Sequence, residues 1–172
     1  RTVYVADVDG DGDMDVCSGS FNPVKIAWYE NDGSESFTEH VISTSDGATS
    51  ISVVDVDGDG DIDVIYSNEY DDKIAWYEND GSQGFTEHVI STSADYAISI
   101  YVADVDNDGD MDVLSASRSD DKIAWYENDG SESFTDHVIS NSADGAISVY
   151  AADGDGDGDM DVFSASSFDD KI

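Results

Sequence analysis

Residues 7–15 read Asp-Val-Asp-Gly-Asp-Gly-Asp-Met-Asp, and close copies of this nonapeptide stand at residues 55–63, 104–112 and 153–161. Successive copies are separated by 48, 49 and 49 residues. Two further segments, Lys25–Gly33 and Phe37–Ile42, recur with the same spacing. Repetition with a period of about 20–50 residues is typical of propellers and other repeat architectures. The repeat is therefore the unit from which the fold must be built.

Each repeat contains four short runs rich in Val, Ile, Tyr, Phe and Trp and bounded by Asp, Gly, Asn and Ser, which indicates four β-strands. The strands predicted in the first repeat are Val3–Ala6, Val16–Ser18, Ile26–Glu30 and Phe37–Ile42. Four antiparallel strands in each unit of about 45–50 residues favour an all-β fold made of β-propeller blades. An open β-solenoid or a string of sandwich-like units is the alternative architecture.

The domain organisation follows from the same repetition. We predict one partial β-propeller over residues 1–172, made of three full blades and a half blade. The predicted repeats cover about 1–48, 49–97 and 98–146, and the half repeat covers 147–172. Because this number of blades is too small to close a ring, we expect either a continuation of the chain into further blades or head-to-tail association of copies.

The composition excludes several classes of function. The chain carries 41 acidic and 6 basic residues, so its formal net charge is −35. A nucleic-acid binder needs a basic surface, and an anionic membrane would repel this chain. No apolar run approaches the roughly 18 residues of a membrane span. Cys17 is the only cysteine, which excludes an internal disulfide, and its alignment with Ile65, Leu114 and Phe163 predicts a buried apolar position.

The four nonapeptides, which we call acidic loops 1 to 4, have the composition of a calcium site. Asp occupies positions one, three, five, seven and nine, and Gly always occupies position six. In helix–loop–helix calcium loops, positions one, three and five supply carboxylates, position seven supplies a backbone carbonyl and Gly at six makes the sharp turn. Asp at position nine stands here in place of the missing glutamate at twelve. Oxygen ligands without nearby His or Cys favour Ca²⁺ over zinc or copper, and a flexible loop favours it over Mg²⁺.

This combination resembles the FG-GAP/VCBS-type calcium-binding β-propeller repeat, also found in integrin α-chain propellers and many secreted microbial proteins. The resemblance covers essentially the whole chain, although the Phe-Gly and Gly-Ala-Pro signatures are not recognisable. It implies that the calcium loop joins the first two strands of each blade, with about one Ca²⁺ per acidic loop and four in all. The implied side-chain ligands are Asp7, Asp9, Asp11 and Asp15; Asp55, Asp57, Asp59 and Asp63; Asp104, Asp106, Asp108 and Asp112; and Asp153, Asp155, Asp157 and Asp161.

Two details of the acidic loops lead to separate expectations. The position-seven residues are expected to bind through the backbone carbonyl and to point their side chains outward; they are Asp13, Asp61, Asp110 and Asp159. At position two, Gly154 replaces the valine of the other loops. We therefore expect the fourth loop to be less well anchored.

Two aromatic positions recur in every full repeat. His40, His88 and His137 share one position in the fourth strand, where they are either a metal-binding ladder or, as we favour, exposed residues on an outermost strand. Trp28, Trp76 and Trp125 share a position in the third strand. They are either a sugar-stacking platform or, as we favour, filling between blades.

The loop between the second and third strands varies most between repeats, and function is expected where repeats differ. This loop contributes Phe21, Tyr70, Arg118 and Phe168. If the four-strand reading holds, these residues lie on the face opposite the acidic loops. We interpret them as a possible ligand face, with neutral loop drift as the alternative.

We expect an extracellular, calcium-binding and non-enzymatic protein that binds a protein or glycan or acts as a scaffold. One alternative is the propeller domain of a secreted polysaccharide-active or lipid-active enzyme. The sequence offers no Ser/His/Asp or Cys/His constellation and no cluster of Lys and Arg to support it. A second alternative is a self-assembling fibre or surface protein, which near-identical repeats would suit.

Overall fold

The computed structural model describes residues 2–168, and within that range every regular element is a β-strand. Sheet 1 comprises β1 (Thr2–Ala6), β2 (Asp15–Phe21), β3 (Val24–Asn31) and β4 (Phe37–Ser43). Sheet 2 comprises β5 (Ser50–Val54), β6 (Asp63–Asn68), β7 (Lys73–Asn79) and β8 (Phe85–Ser91). Sheet 3 comprises β9 (Ala97–Ala103), β10 (Asp112–Ser117), β11 (Lys122–Asn128) and β12 (Phe134–Ser140). Sheet 4 comprises β13 (Ala146–Ala152) and β14 (Asp161–Ser166).

Every sheet is an antiparallel meander in chain order, which confirms the prediction of an all-β fold with four strands in each full repeat. The predicted strands fall inside the observed ones, as Ile26–Glu30 does inside β3. The expected third strand at Lys171–Ile172 lies outside the described residues. Residues 2–168 contain no helix that is long enough and apolar enough to cross a membrane.

The meander separates two ends of the molecule. In an antiparallel meander, successive connections leave from alternate ends of the sheet. The acidic loops and the turns between third and fourth strands therefore share one end, which we call the acidic end. The turns between second and third strands and the connections between sheets share the other, which we call the opposite end. The sequence-predicted calcium ligands and ligand face are thus on different ends.

Neighbouring sheets bury their apolar side chains against each other, and each boundary has its own core. The core between sheets 1 and 2 contains Cys17 and Trp28 from sheet 1 and Val64 from sheet 2. Trp76 has the same place between sheets 2 and 3, and Trp28 and Trp76 are only 1% and 0% exposed. The tryptophans therefore fill the space between sheets, and Cys17 is a buried apolar residue, as predicted. Removal of such a ring costs about 3–5 kcal/mol in a packed core.

The first strands of consecutive sheets lie side by side, and β1, β5, β9 and β13 each contact the next in this order. The described residues do not close into a ring. The outer face of sheet 1 therefore has no partner sheet, and Val3 and Val5 are 70% and 50% exposed. Their equivalents in sheet 2, Ile51 and Val53, are covered by sheet 1 and are 5% and 7% exposed.

A buried polar network ties the connection after sheet 1 to sheet 2. Asp46, which is 8% exposed, accepts hydrogen bonds from Lys73 Nζ at 2.7 Å, Tyr77 Oη at 2.8 Å and Ser43 Oγ at 2.9 Å. Burial by itself would raise the pKa of Asp46, but these donors outweigh it and lower the pKa to about 2. Counted from the repeated histidine, the equivalents of Asp46 are Ala94 and Ala143; counted from the next acidic loop, they are Asp95 and Asp144, which are exposed. The network therefore belongs to the first boundary.

We expect Asp46→Ala to lower the free energy of unfolding by about 1–2 kcal/mol at pH 7, after allowance for solvent screening. The folded pKa lies below the unfolded value near 3.8. The carboxylate therefore stabilises the fold above about pH 4, and this contribution is lost as the pH falls towards 2. Urea unfolding of both proteins across this range measures the difference. A constant difference between pH 7 and pH 2, or an equal loss from the exposed Asp136→Ala on β12, contradicts the prediction.

Candidate functional site

The backbone of each acidic loop turns its carboxylates inwards. Positions four and six of loop 1 have positive φ angles, with Gly10 at 74° and Gly12 at 97°. Asp7 Oδ2 accepts the Gly12 N–H at 3.0 Å, and Asp9 Oδ1 accepts the Asp11 N–H at 3.2 Å. Loops 2, 3 and 4 repeat the first of these bonds at 3.0, 3.0 and 3.2 Å. Each loop thus orients its carboxylates with its own backbone N–H groups before any ion is considered.

The aspartate at position nine is the most deeply buried residue of loops 1 to 3. Asp63 is 0% exposed, and its two oxygens accept the Val56 and Asn79 N–H groups, each at 2.8 Å. Burial raises the pKa of Asp63 to about 7, and the charges of Asp57 and Asp59 add to the rise, whereas the two N–H donors lower it. Burial and the neighbouring carboxylates disfavour the charged form of Asp63, and a bound cation would stabilise that form.

Three carboxylate oxygens approach one another in each loop, all within 4.8 Å. The sets combine positions one, three and nine in loops 1, 2 and 4, and positions one, three and five in loop 3. They are Asp7, Asp9 and Asp15; Asp55, Asp57 and Asp63; Asp104, Asp106 and Asp108; and Asp153, Asp155 and Asp161. The predicted ligands Asp11, Asp59, Asp157 and Asp112 stand outside these sets.

An unpaired carboxylate oxygen in loop 1 also indicates that the acidic loops fit a calcium ion. Asp7 Oδ1 is buried without a hydrogen-bond partner among residues 2–168. An unpaired buried carboxylate oxygen is costly, and a hard cation is its natural partner. All of the converging donors are carboxylate oxygens, the ligand chemistry that Ca²⁺ prefers over the ligands of zinc or copper.

Three of the four position-seven side chains lie against the neighbouring turn, and none belongs to a converging set of carboxylates. A Cβ built on Gly33 would lie 2.3 Å from Asp13 Oδ2, so the Asp13 carboxylate packs against the turn between β3 and β4. Asp61 and Asp110 lie in the same way against Gly81 and Gly130. This packing orders the turn, and the binding of the position-seven carbonyls remains a prediction.

Loop 4 differs from the other three. Asp161 is exposed, whereas Asp15, Asp63 and Asp112 are 0% exposed. The N–H of Gly154 donates to Asp161 Oδ2 at 3.0 Å, but Gly154 has no side chain to bury beside it. In sheets 1 to 3 the last residue of the third strand covers this aspartate and donates its N–H to it, and that strand of sheet 4 lies outside the described residues. The weaker anchoring expected from Gly154 therefore stays a prediction.

The histidines are half-buried rather than exposed, because each stacks on the tryptophan of the neighbouring strand. The ring centroids of His40 and Trp28 are 4.4 Å apart, and His40 Nε2 lies 2.6 Å from Glu30 Oε2. The other two full repeats contain the same pair, with His88 on Trp76 and His137 on Trp125. The pairing explains the recurrent histidine as a cover for the tryptophan. His88 also lies with Glu78 and Glu132 in a group whose ligand atoms are within 4.8 Å of one another.

The four residues of the predicted ligand face form two separate pairs at the opposite end, and each pair contains at least one aromatic ring. Phe21 and Tyr70 meet edge to face with centroids 4.8 Å apart, and Arg118 lies 5.6 Å from the centroid of Phe168. Tyr70 and Phe168 are 67% and 65% exposed. Sequence reasoning missed Tyr96, whose ring is 6.4 Å from that of Tyr70. Tyr96 stands eight residues before acidic loop 3, where Gly47 and Gly145 precede loops 2 and 4, and this tyrosine in place of glycine was its one signal.

Comparison with known proteins agrees with this geometry. The sequence profile of the FG-GAP-like repeat matches residues 7–66, 55–115 and 104–164. No curated protein sequence matches the chain. The crystal structure of the V. cholerae biofilm matrix protein Bap1 aligns with a TM-score of 0.55 and 21% identity, over 94% of this chain and 27% of that protein. That identity shows a common fold alone, and the chain spans about a quarter of the length of that protein. With three consecutive matches that run through most of its length, the chain belongs to the FG-GAP-like repeat family.

Proposed function

We propose that this chain is a calcium-stabilised, non-enzymatic binding module of the extracellular matrix. The observation that carries the proposal is the convergence of three carboxylate oxygens within 4.8 Å in each of the four acidic loops. The likeness to a biofilm matrix protein supports an extracellular setting. In that setting calcium is abundant enough for sites with dissociation constants of about 10⁻⁴–10⁻³ M.

Electrostatics is the physical reason for the ion. Two carboxylates about 4 Å apart repel each other by roughly 4 kcal/mol at an effective dielectric constant of about 20. Each loop holds five such groups within nine residues, and the whole chain carries a net charge of −35. Calcium at each loop offsets this repulsion and holds the first and second strands of the sheet together. The ion would be bound by the carboxylates of positions one, three, five and nine and the carbonyl of position seven.

We further propose that the sheets are blades of a β-propeller whose axis runs beside β1, β5, β9 and β13, because these strands lie next to one another. In this proposal a further blade packs against the exposed face of sheet 1. That blade belongs either to a continuation of the chain or to a second copy. Light scattering on this chain distinguishes them, because a stable monomer excludes the second copy.

The binding surface in this proposal is the opposite end, where Tyr70, Tyr96 and Phe168 present aromatic rings. Aromatic side chains bind apolar faces of proteins and sugars with little loss of side-chain freedom. The high negative charge of the chain favours a neutral or basic partner over an acidic one. The acidic end is then structural, and the opposite end carries recognition.

Calcium titration tests the proposal directly. Isothermal titration of the chelator-stripped chain is expected to show about four ions per molecule. Asp7→Asn removes a converging ligand, so it should lower the number of strong sites to three, whereas Asp136→Asn on the exposed face of β12 should leave four. A chain that takes up no calcium at millimolar concentrations overturns the proposal.

The aromatic surface is tested by retention on plates coated with isolated matrix polysaccharide or with matrix protein. We expect the double variant Tyr70→Ala, Phe168→Ala to lose about tenfold or more in affinity, because exposed aromatic anchors contribute about 1–3 kcal/mol each in interfaces. Val138→Ala, on the exposed face of β12, is the matched control. Equal retention of all three proteins would place the binding surface elsewhere.

A further inference from the structure

Two asparagines connect neighbouring acidic loops across the sheet boundaries. Asn79 closes β7 in sheet 2, and its side chain is 3% exposed. Its Nδ2 group donates to the carbonyl oxygen of Val8 in loop 1 and to that of Ile62 in loop 2, both at 3.2 Å. A single amide therefore holds position two of one loop and position eight of the next.

Asn128 repeats this arrangement one boundary later. Its Nδ2 group donates to the Val56 carbonyl of loop 2 at 3.1 Å and to the Met111 carbonyl of loop 3 at 3.3 Å. The Oδ1 atom of each asparagine accepts a glycine N–H of its own turn, at 3.2 Å from both Gly81 and Gly130. The two donors and the acceptor of each amide are all used, which fixes its orientation.

The backbone of the same asparagines reaches the candidate calcium ligands. The Asn79 N–H donates to Asp63 Oδ1, and Asp63 Oδ2 accepts the Val56 N–H, both at 2.8 Å. A continuous chain of buried hydrogen bonds therefore runs through the first three loops. In order it comprises Asp15, Val8, Asn79, Asp63, Val56, Asn128 and Asp112.

We propose that Asn79 and Asn128 are positioning residues that couple calcium binding between loops 1, 2 and 3. This inference rests on the proposed calcium binding. Without the ion, the carboxylates of a loop repel one another, and part of the binding free energy is spent on ordering the loop. An ion in loop 1 orders Val8, whose carbonyl then holds Asn79 and, through it, Asp63 of loop 2. The second ion binds a loop that is already partly ordered, which is positive cooperativity.

Among residues 2–168, Asn79 and Asn128 join loops 1, 2 and 3, so the proposed coupling concerns these three sites. Asn31 supplies a matched control, because among the described residues its Nδ2 donates only to Met14 of its own loop, at 3.2 Å.

The test is a calcium titration of the chelator-stripped chain, followed by calorimetry. We expect a Hill coefficient above one for the wild-type chain and a reduced value for Asn79→Ala and Asn128→Ala, with cooperativity retained in Asn31→Ala. Circular dichroism in saturating calcium establishes that each variant is folded.

A double-mutant cycle separates coupling from local damage. Asp9→Asn disables loop 1, and in the wild-type background it should weaken binding at loop 2 by about fivefold or more. In the Asn79→Ala background the same change should not affect loop 2. Four ions bound with a Hill coefficient of one, or equal effects of Asp9→Asn in both backgrounds, would overturn the coupling while leaving calcium binding in place. A chain that binds no calcium would overturn the proposed function itself.

Discussion

Removal of calcium is expected to lower the melting temperature of this protein by about 20 °C or more. Calcium at 100 times its dissociation constant, which is about 10–100 mM for the affinities proposed above, adds about 2.7 kcal/mol of stability per site. Four sites would add about 11 kcal/mol, comparable with the roughly 5–15 kcal/mol of an ordinary domain. In a protein of this size, 1 kcal/mol corresponds to about 2–4 °C. Differential scanning calorimetry with and without a chelator measures the shift.

Two controls separate specific binding from general charge repulsion. Chelator already saturated with calcium should leave the melting temperature unchanged. One molar sodium chloride shortens the screening length to about 3 Å and should restore only part of the loss, because it does not replace ligands at the converging carboxylates. An unchanged melt in excess chelator, or full restoration by salt alone, would show that calcium is not structural.

Asp63→Ala is expected to destabilise the protein strongly, because Asp63, like Asp15 and Asp112, is buried and accepts two backbone N–H groups. It leaves the N–H groups of Val56 and Asn79 buried without acceptors. Each orphaned donor costs about 1–3 kcal/mol, so the two lost acceptors cost about 2–6 kcal/mol. Burial raises the pKa of Asp63 to about 7, so at pH 7 the removal of its charge offsets part of this cost. We therefore expect a net loss of about 2–4 kcal/mol in calcium-free protein. In calcium the loss should grow, because a ligand of loop 2 is also removed. Chemical denaturation with and without chelator separates the two contributions.

Asp161→Ala is the matched control, since Asp161 holds the same position in loop 4. Among residues 2–168, Asp161 is exposed and accepts one backbone N–H, from Gly154 at 3.0 Å. Without calcium, its removal should cost less than about 1 kcal/mol, because water can satisfy the freed donor. If the two substitutions destabilise the calcium-free protein equally, the buried hydrogen bonds of Asp63 do not stabilise the loop.

Local sequence signals predicted most of the secondary structure. β-Branched and aromatic runs with turn residues at their ends place strands well, so that Phe37–Ile42 was predicted and Phe37–Ser43 is observed. The acidic loops were equally visible, because the spacing of Asp and Gly sets the backbone turns within nine residues. These features depend on neighbours in the chain, which is the information that a sequence displays directly.

Contacts between sheets could not be predicted from these local signals, because they join residues that are far apart in the chain. Asp46 lies in a loop and no sequence pattern marks it, yet it accepts hydrogen bonds from Lys73 and Tyr77 of the next sheet. Tyr96 joins the aromatic surface because it carries a ring at the position where Gly47 and Gly145 lie against Phe21 and Phe168. Nothing in the sequence indicated that the Asp13 carboxylate packs against the turn at Gly33.

The sequence by itself determined the repeat, the strands and the carboxylates of each loop, because all of these arise within a single unit of about 50 residues. The tertiary structure alone decided which acidic loops are joined by hydrogen bonds. Asn79 reads as a hairpin residue, and only the packing of sheet 2 on sheet 1 brings its amide to Val8, 71 residues away in the chain. Stacking of identical units creates contacts that no unit encodes alone, and at these boundaries the loops become one connected system.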